Sequence, residues 1–389
     1  MKNILFIHQS AELYGSDKTI LMFISSLDKT KYRPIVVVPF EGPLTREFEK
    51  NNIQVVIAPV LKLYRKMITP TNMIKATKEY KLGLETLENL HKEHKFDLVY
   101  SHTLAALIGI IFARKHNIKH LWHIQEILAK PVAINKIFKK LLNLKANHKA
   151  VYDSKATMNF WIESDEKLAV KSDFVWNGLD ASAKPVYSRE HIKSVREKFF
   201  NVDDSITVIG LVGRINSWKG QPLLLESYNK IAKNYPNSRL IFIGSAPPNQ
   251  EFFTDSLKKS ITDFKLENQV KIIPFQEEIW QLWDSIDIAV VPSTEPEPFG
   301  MVAIEAMLAK KPVVAANHGG LTEIVVHGET GLLFEPQNAD ELANALKLLL
   351  ENSAKCEKFG LAGYNRAVEH FSLQSHVNKF ETIFEDIID

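Results

Sequence analysis

The sequence predicts an α/β protein of two Rossmann-like domains, and three observations carry that expectation. Short apolar runs alternate with amphipathic segments along the whole chain, which is the βαβ rhythm of a parallel sheet covered by helices on both faces. The rhythm pauses in a polar stretch from Ala181 to Asp204 and restarts at Ile206. The 389 residues also exceed one ordinary core and suit two domains of roughly 180 to 200 residues each. A composition of 45% hydrophobic and 24% charged residues is that of a soluble globular protein.

In the N-terminal half the expected strands are Ile4 to Ile7, Pro34 to Val38, Val55 to Ala58, Leu98 to Ser101, His120 to Ile124, a strand around Val151, and Asp173 to Trp176. The opening residues Met1 to His8 hold too short an apolar run for a signal peptide and read as the first buried strand. The longest apolar run, Leu104 to Ala113, falls far short of a membrane span. A lone cysteine, Cys356, permits no internal disulfide and no cysteine-based zinc site, which suits a reducing cytoplasm. The net charge of +2 conceals an asymmetry: residues 1–180 carry +9 and the remainder −7. Two domains with different partners would produce that split, and so would chance segregation.

No Gly-x-Gly-x-x-Gly follows the first strand. Instead Gln9 to Leu13 leads to Tyr14-Gly15-Ser16-Asp17-Lys18-Thr19, with Ser16 or Asp17 expected as a helix N-cap. Gly15 either lets the backbone approach a ligand or simply makes a turn. His102 and His123 stand at strand ends, where the carboxyl edge of a parallel sheet binds ligands and where a histidine can move protons near neutral pH. Each is also read as a satisfied core histidine. The segment Asn135 to Lys145 is basic and amphipathic, with Ile137, Phe138, Leu141, Leu142 and Leu144 as its stripe and Lys136, Lys139, Lys140 and Lys145 around it. Such a helix packs on its own sheet or meets an anionic membrane surface. Asn177-Gly178 then forms a turn.

The second rhythm runs through Ile206 to Val212, Leu240 to Ile243, Val270 to Ile273, Ile286 to Val291 and Pro312 to Ala315. Its first strand opens into Gly213-Arg214-Ile215-Asn216-Ser217-Trp218-Lys219-Gly220, where two cations bracketed by glycines can grip an anion, unless they are stray surface charges. Gly244-Ser245 follows the next strand and either lines the same site or only turns the chain. After Ile286 to Val291 comes Ser293-Thr294-Glu295-Pro296-Glu297-Pro298-Phe299-Gly300, then a helix over Met301 to Ala309 that carries Glu305. Glu297 is thereby placed outside a strand end, and the helical rise puts Glu305 roughly 7 to 12 Å further along the axis, about the span from a hexose to the ribose of a nucleotide sugar. The helix N-terminus between them suits a diphosphate. A capping glutamate followed by a solvated one is the alternative. His318-Gly319-Gly320 follows the next strand, Gly328 and Gly331 read as turn glycines, and Ala339 to Asp389 reads as helical.

Glu297-Pro298-Phe299-Gly300 followed by four residues and Glu305 resembles the paired-glutamate signature of glycosyltransferase family 4 (glycosyl transferases group 1), and Gly213-Arg214 with Lys219-Gly220 resembles that family's phosphate motif. The resemblance implies the GT-B fold, two Rossmann-like domains facing each other across a cleft, and a retaining, metal-independent enzyme that moves a hexose-like sugar from a nucleotide diphosphate to a hydroxyl. By that likeness residues 1–180 bind the acceptor, residues 181–370 bind the donor, and residues 371–389 form a helix crossing back to the first domain. Arg214, Lys219, Glu297 and His123 are the implied catalytic group. Gly15, Gly213, Gly244, Phe299, Gly300, Met301, Glu305, Gly319 and Gly320 join Arg214, Lys219 and Glu297 around the donor, while Ser16, His102 and His123 are implied for the acceptor. The family's histidine motif often continues with a second histidine where this chain has Gln125.

No cofactor is expected beyond a UDP- or GDP-sugar as co-substrate, and no metal, because the chain lacks an Asp-x-Asp and any His/Cys cluster of ligand spacing. The expected partners are a glycan or lipid-linked acceptor of bacterial surface polysaccharide synthesis and the anionic inner face of a plasma membrane, met through Lys62, Arg65, Lys66 and the Lys136 to Lys145 segment, with no nucleic acid. An epimerase on the same fold and a non-catalytic nucleotide-sugar-binding subunit are the alternatives, separated by donor turnover with and without acceptor.

Overall fold

The computed structural model describes residues 1–62 and 70–388, and the chain forms two compact units. Arg65 and Lys66 lie outside the described residues.

The N-terminal unit comprises Met1–Gly178 together with Leu373–Asp389. Its sheet is built from β1 (Lys2–Ile7), β2 (Tyr32–Val38), β3 (Gln54–Ile57), β4 (Leu98–His102), β5 (Lys119–Ile124), β6 (Asn147–Tyr152) and β7 (Ser172–Phe174). All are parallel, in the order β3-β2-β1-β4-β5-β6-β7. Alternation along β1 sends Ile4 and Phe6 into one cluster and Leu5 and Ile7 into another, so both faces of the sheet are buried and the strand reads as a continuous apolar run.

The last helix, Leu373–Ile388, closes one of those faces. Phe380 packs 4.7 Å, ring to ring, from Phe23, and Phe384 stands edge-on to Phe6 at 6.4 Å. Both phenylalanines are fully buried, and each such side chain contributes about 1.5 to 3 kcal/mol on burial. The last helix is thus part of the N-terminal core although its sequence follows the second unit. The helix Val132–Leu142 buries Phe138 and Leu142, while Val132 and Ile137 remain exposed beside Lys136 and Lys140.

The C-terminal unit, Leu179–Ser372, holds β8 (Thr207–Val212), β9 (Ser238–Ile243), β10 (Val270–Ile273), β11 (Ile288–Val291), β12 (Val313–Ala316) and β13 (Gly331–Phe334). They pair in parallel in the order β10-β9-β8-β11-β12-β13. The polar stretch expected as a linker is instead built onto this unit. It contains the helix Arg189–Val195, and the buried Arg196 donates to the Ser285 carbonyl at 2.9 Å and to Asp287 Oδ2 at 3.1 Å. Periodicity misses this because the anchoring residue is charged and its partners lie about 90 residues away.

In each sheet the strand order reverses once, between β1 and β4 and between β8 and β11. Ligands of open α/β sheets bind outside the strand carboxyl ends at such points.

Candidate functional site

In the C-terminal unit the two chain segments that leave the reversal point are the loop after β8 and the loop after β11. Gly213 follows β8, and its N–H donates to the Ile243 carbonyl at 2.9 Å. Gly244 follows β9, close enough to Gly213 that a Cβ there would stand 2.0 Å from the Gly213 carbonyl oxygen. The Asn216 side chain accepts from the N–H groups of Trp218 and Lys219 at 3.1 and 2.9 Å, which folds the loop into a compact turn. Gly220 then starts the helix Gln221–Asn229 at φ +81°, with a would-be Cβ only 1.9 Å from the Pro292 carbonyl oxygen. Only glycine satisfies both the left-handed backbone and that approach, so the two loops are locked together at this residue.

That lock brings Lys219 and Glu297 into contact. Lys219 Nζ lies 2.6 Å from Glu297 Oε1 and 4.4 Å from the centre of the Trp218 ring. Ser293 Oγ donates to the same Glu297 oxygen at 2.5 Å. The Glu297 side chain is 6% exposed and that of Lys219 18%, so the pair is largely desolvated and each charge depends on the other. Arg214 is exposed at the loop's outer edge, and its carbonyl accepts from Gln221 Nε2 at 2.8 Å. The two cations expected to act alike therefore differ in exposure: Lys219 is largely buried and Arg214 is exposed.

Glu297 is held from behind by the glycine pair after β12. Gly320 donates its N–H to the Glu297 carbonyl at 2.8 Å, and a Cβ on Gly319, whose φ is +60°, would lie 2.3 Å from that same oxygen. His318 Nε2 donates to the Ser293 carbonyl at 2.8 Å, and burial lowers its pKa below the usual histidine range. Gly300 precedes the helix Met301–Leu308, whose first residue, Met301, is half-buried. Phe299 is 3% exposed, with its ring edge-on to Phe371 at 5.8 Å. Glu305 Oε2 accepts from Trp283 Nε1 at 3.1 Å, so a buried indole fixes that carboxylate. Ser293 and Trp218 stand inside the two motifs with no spacing of their own to mark them, and Trp283 lies outside both.

In the N-terminal unit the reversal point is also bridged. His8 follows β1, His102 ends β4 and His123 lies in β5. His8 Nε2 is 2.7 Å from Asp17 Oδ1, and His8 Nδ1 is 2.9 Å from His102 Nδ1. Tyr100 Oη is 2.6 Å from His123 Nδ1. The rings of His102 and His123 are 5.2 Å apart, and both residues are 1% exposed. Burial pushes both imidazoles well below the usual histidine range, and neighbouring imidazoles add to it. Their Nε2 atoms have no hydrogen-bond partner among the described residues.

Neither Ser16 nor Asp17 is the N-cap. The helix is Gly15–Ser25 with Tyr14 as cap, and Asp17 sits inside its first turn, where Oδ2 accepts from the Tyr14 N–H at 2.9 Å. The cause is the second use of Asp17, whose other oxygen is bound to His8. Gly15 is exposed, and a Cβ there would stand in open space, so no steric demand from the chain explains a glycine. Ser16 is half-buried. Gln125 is half-buried beside Glu126, a carboxyl that burial pushes up to about 7 although it accepts the backbone N–H groups of Leu104 and Gln125.

Among the described residues no group of three or more His, Cys, Asp or Glu side chains is arranged to hold a metal ion, and no helix is long and apolar enough to cross a membrane.

Residues 194–366 match the family described as glycosyl transferases group 1, a span that includes the Gly213–Gly220 loop, Glu297, Glu305, Gly319 and Gly320. A D-inositol 3-phosphate glycosyltransferase of Corynebacterium aurimucosum is 30% identical over 182 residues, covering 46% of this chain and 43% of that protein. A lipopolysaccharide 1,2-N-acetylglucosaminetransferase of Salmonella typhimurium is 29% identical over 197 residues, covering 49% and 51%. The chain thus spans about half the length of these curated relatives. The Anabaena protein Alr3699/HepE, solved with UDP and glucose, superposes with a TM-score of 0.83 at 26% identity, covering 98% of this chain and 99% of that one. Its complex with UDP-glucose superposes with a TM-score of 0.85. Two Rossmann-like units with these whole-chain matches make the architecture GT-B.

Proposed function

We propose that this chain is a retaining glycosyltransferase of the family 4 kind, taking a sugar from a UDP-sugar and passing it to a hydroxyl acceptor. The observation that carries the reading is the Lys219–Glu297 pair at the strand-order reversal of the C-terminal unit, braced by Gly319 and Gly320. That constellation falls inside the stretch matched by the group 1 family, and the Anabaena protein of the same fold binds UDP and UDP-glucose.

The chemistry follows from charge. Breaking a glycosidic bond to a diphosphate puts negative charge on the leaving group while the sugar takes on oxocarbenium character, and fixed cations lower that barrier. Lys219 and Arg214 supply them in place of a metal, with the backbone of Gly213, Gly244, Phe299, Gly300 and Met301 lining the donor. Glu305, oriented by Trp283, holds the ribose. Glu297 positions the sugar. Its Oε1 already takes two hydrogen bonds, from Lys219 and Ser293, which favours same-face attack assisted by the departing phosphate over a glutamate nucleophile.

The acceptor belongs to the N-terminal unit, at His102, His123 and Ser16, with Gly15 next to the donor, and is a lipid-linked glycan met at the inner face of a membrane by a cytoplasmic enzyme. The exposed face of Val132–Leu142, with Val132 and Ile137 beside Lys136 and Lys140, supports that docking. Lys139 contributes less, because its ammonium donates to the Glu163 carbonyl at 3.1 Å.

Calorimetric titration with UDP- and GDP-sugars, followed by donor-consumption assays with and without a glycan acceptor, tests the reading. Binding of a UDP-sugar and acceptor-dependent release of UDP are expected. Isomerisation of the sugar without release, or binding without turnover on any acceptor, overturns it.

A further inference from the structure

Two imidazoles side by side in the N-terminal unit are wired to different partners, and the wiring dictates which nitrogen of each carries its proton. Asp17 Oδ2 is occupied by the Tyr14 N–H, and Oδ1 faces His8 Nε2 at 2.7 Å. A carboxylate only accepts, so His8 Nε2 bears hydrogen. For a neutral His8 the other nitrogen, Nδ1, is then a lone pair. It faces His102 Nδ1 at 2.9 Å, and one of two nitrogens in hydrogen-bond contact must donate. His102 Nδ1 therefore carries the proton, which leaves His102 Nε2 as a bare acceptor. At His123 the wiring runs the other way. The Tyr100 hydroxyl meets Nδ1 at 2.6 Å, and burial raises that phenol's pKa far above the usual range, so the phenol keeps its proton and donates it. His123 Nδ1 is the acceptor and Nε2 bears hydrogen.

We infer that Asp17, through His8, and Tyr100 are positioning residues that lock His102 and His123 in opposite tautomers, so that this site presents one imidazole acceptor beside one imidazole donor. Their rings stand 5.2 Å apart, and both Nε2 atoms lack a partner among the described residues. A hydroxyl, which both donates and accepts, is the ligand chemistry matched by such a pair. The relay is carried by three chain segments, the end of β1, the first turn of Gly15–Ser25 and the end of β4, so it also pins the strand-order reversal. This deepens the proposed function, in that His102 and His123 were there given to a hydroxyl acceptor.

The test is long-range proton–nitrogen NMR of the histidine rings in the full-length protein. Wild type is expected to show His102 protonated on Nδ1, the tautomer less favoured in free histidine, and His123 protonated on Nε2. Asp17→Asn reverses the relay: its carboxamide oxygen keeps the Tyr14 N–H, its NH2 donates to His8 Nε2, and both His8 and His102 exchange tautomers while His123 stays as it was. Tyr100→Phe leaves His102 unchanged. A wild-type His102 protonated on Nε2, as a His8 imidazolium would require, overturns the inference without need of any variant. So does an Asp17→Asn protein whose His102 keeps its wild-type pattern. In turnover assays Asp17→Asn is expected to lower kcat by ~10²-fold with an unchanged KM for the nucleotide sugar, as loss of one proton-handling contact does. Reversed tautomers with unchanged kcat would uphold the relay and remove His102 from the acceptor's site.

Discussion

Lys219 Nζ stands 2.6 Å from Glu297 Oε1, a contact that ties the loop leaving β8 to the loop leaving β11. Because both groups are largely desolvated, removing either leaves the other costly to keep. Lys219→Ala is expected to cut turnover by about 10²- to 10³-fold, the usual consequence of losing one electrostatic contact to a transition state. It should also lower the melting temperature, since Glu297 loses its cation and keeps the Ser293 hydrogen bond. Arg214→Ala is expected to lose turnover similarly with a smaller fall in melting temperature, because Arg214 is exposed. Steady-state kinetics and thermal melts of the two variants, side by side, check the contrast. Near-normal turnover in both would remove these cations from the reaction.

Gly319→Ala places a Cβ 2.3 Å from the Glu297 carbonyl oxygen and 2.8 Å from its nitrogen, at a φ of +60°. The loop must move, at a cost of roughly 1 to 3 kcal/mol for the strained backbone. Glu297 moves with it. Weaker donor binding together with a lower melting temperature is expected by titration and calorimetry. An alanine variant with wild-type values for both would show the glycine pair to be dispensable.

Activity is expected to survive chelation, since Lys219 and Arg214 provide the positive charge that a metal supplies elsewhere. Donor turnover in EDTA should match the untreated rate within about twofold. Loss in EDTA restored by manganese would contradict this.

The N-terminal unit should lose stability in mild acid. Burial holds His376 down to about 4 and His120 down to about 3, with His102 and His123 also well below 6.5. Bases with depressed folded-state pKa values stabilise fully above the unfolded value and lose that contribution as pH falls below it, because the unfolded chain binds the proton first. The window therefore opens near 6.5 and extends to about 4 for His376 and about 3 for His120. Glu126, raised to about 7, acts with the opposite sign, one group against four. Urea midpoints measured from pH 7.5 downward should fall across that window, and His376→Gln should flatten the curve. A midpoint constant down to about pH 5 would show that these imidazoles do not titrate with unfolding.

Anionic vesicles should bind the protein at low salt and release it as salt rises, because each well-placed Lys or Arg near such a surface contributes about 1 kcal/mol within a Debye length. Lys136→Glu with Lys140→Glu should weaken sedimentation more than Lys139→Glu, whose wild-type ammonium is already engaged with Glu163. No binding by wild type at low salt would point to a soluble acceptor.

The sequence by itself determined the two parallel sheets, because a strand buried on both faces must be apolar throughout, as Ile4 to Ile7 and Ile288 to Val291 are. It also put Arg214 and Lys219 in the loop after one strand, Glu297 in the loop after another and Glu305 on the helix that follows, since chain order and the helical rise constrain residues that are close in sequence. Tertiary structure alone decided the rest. Pairing Lys219 with Glu297 requires β8 and β11 to be neighbours although 78 residues separate the two side chains. The Asp17–His8–His102 chain spans three segments, and Phe380 and Phe384 complete the core of a unit that begins at Met1. Arg196 lies in the polar stretch read as a linker, and its partners, Ser285 and Asp287, are 89 and 91 residues further on. Periodicity reports which face of an element is buried, and the partner that buries it is chosen only when distant segments meet.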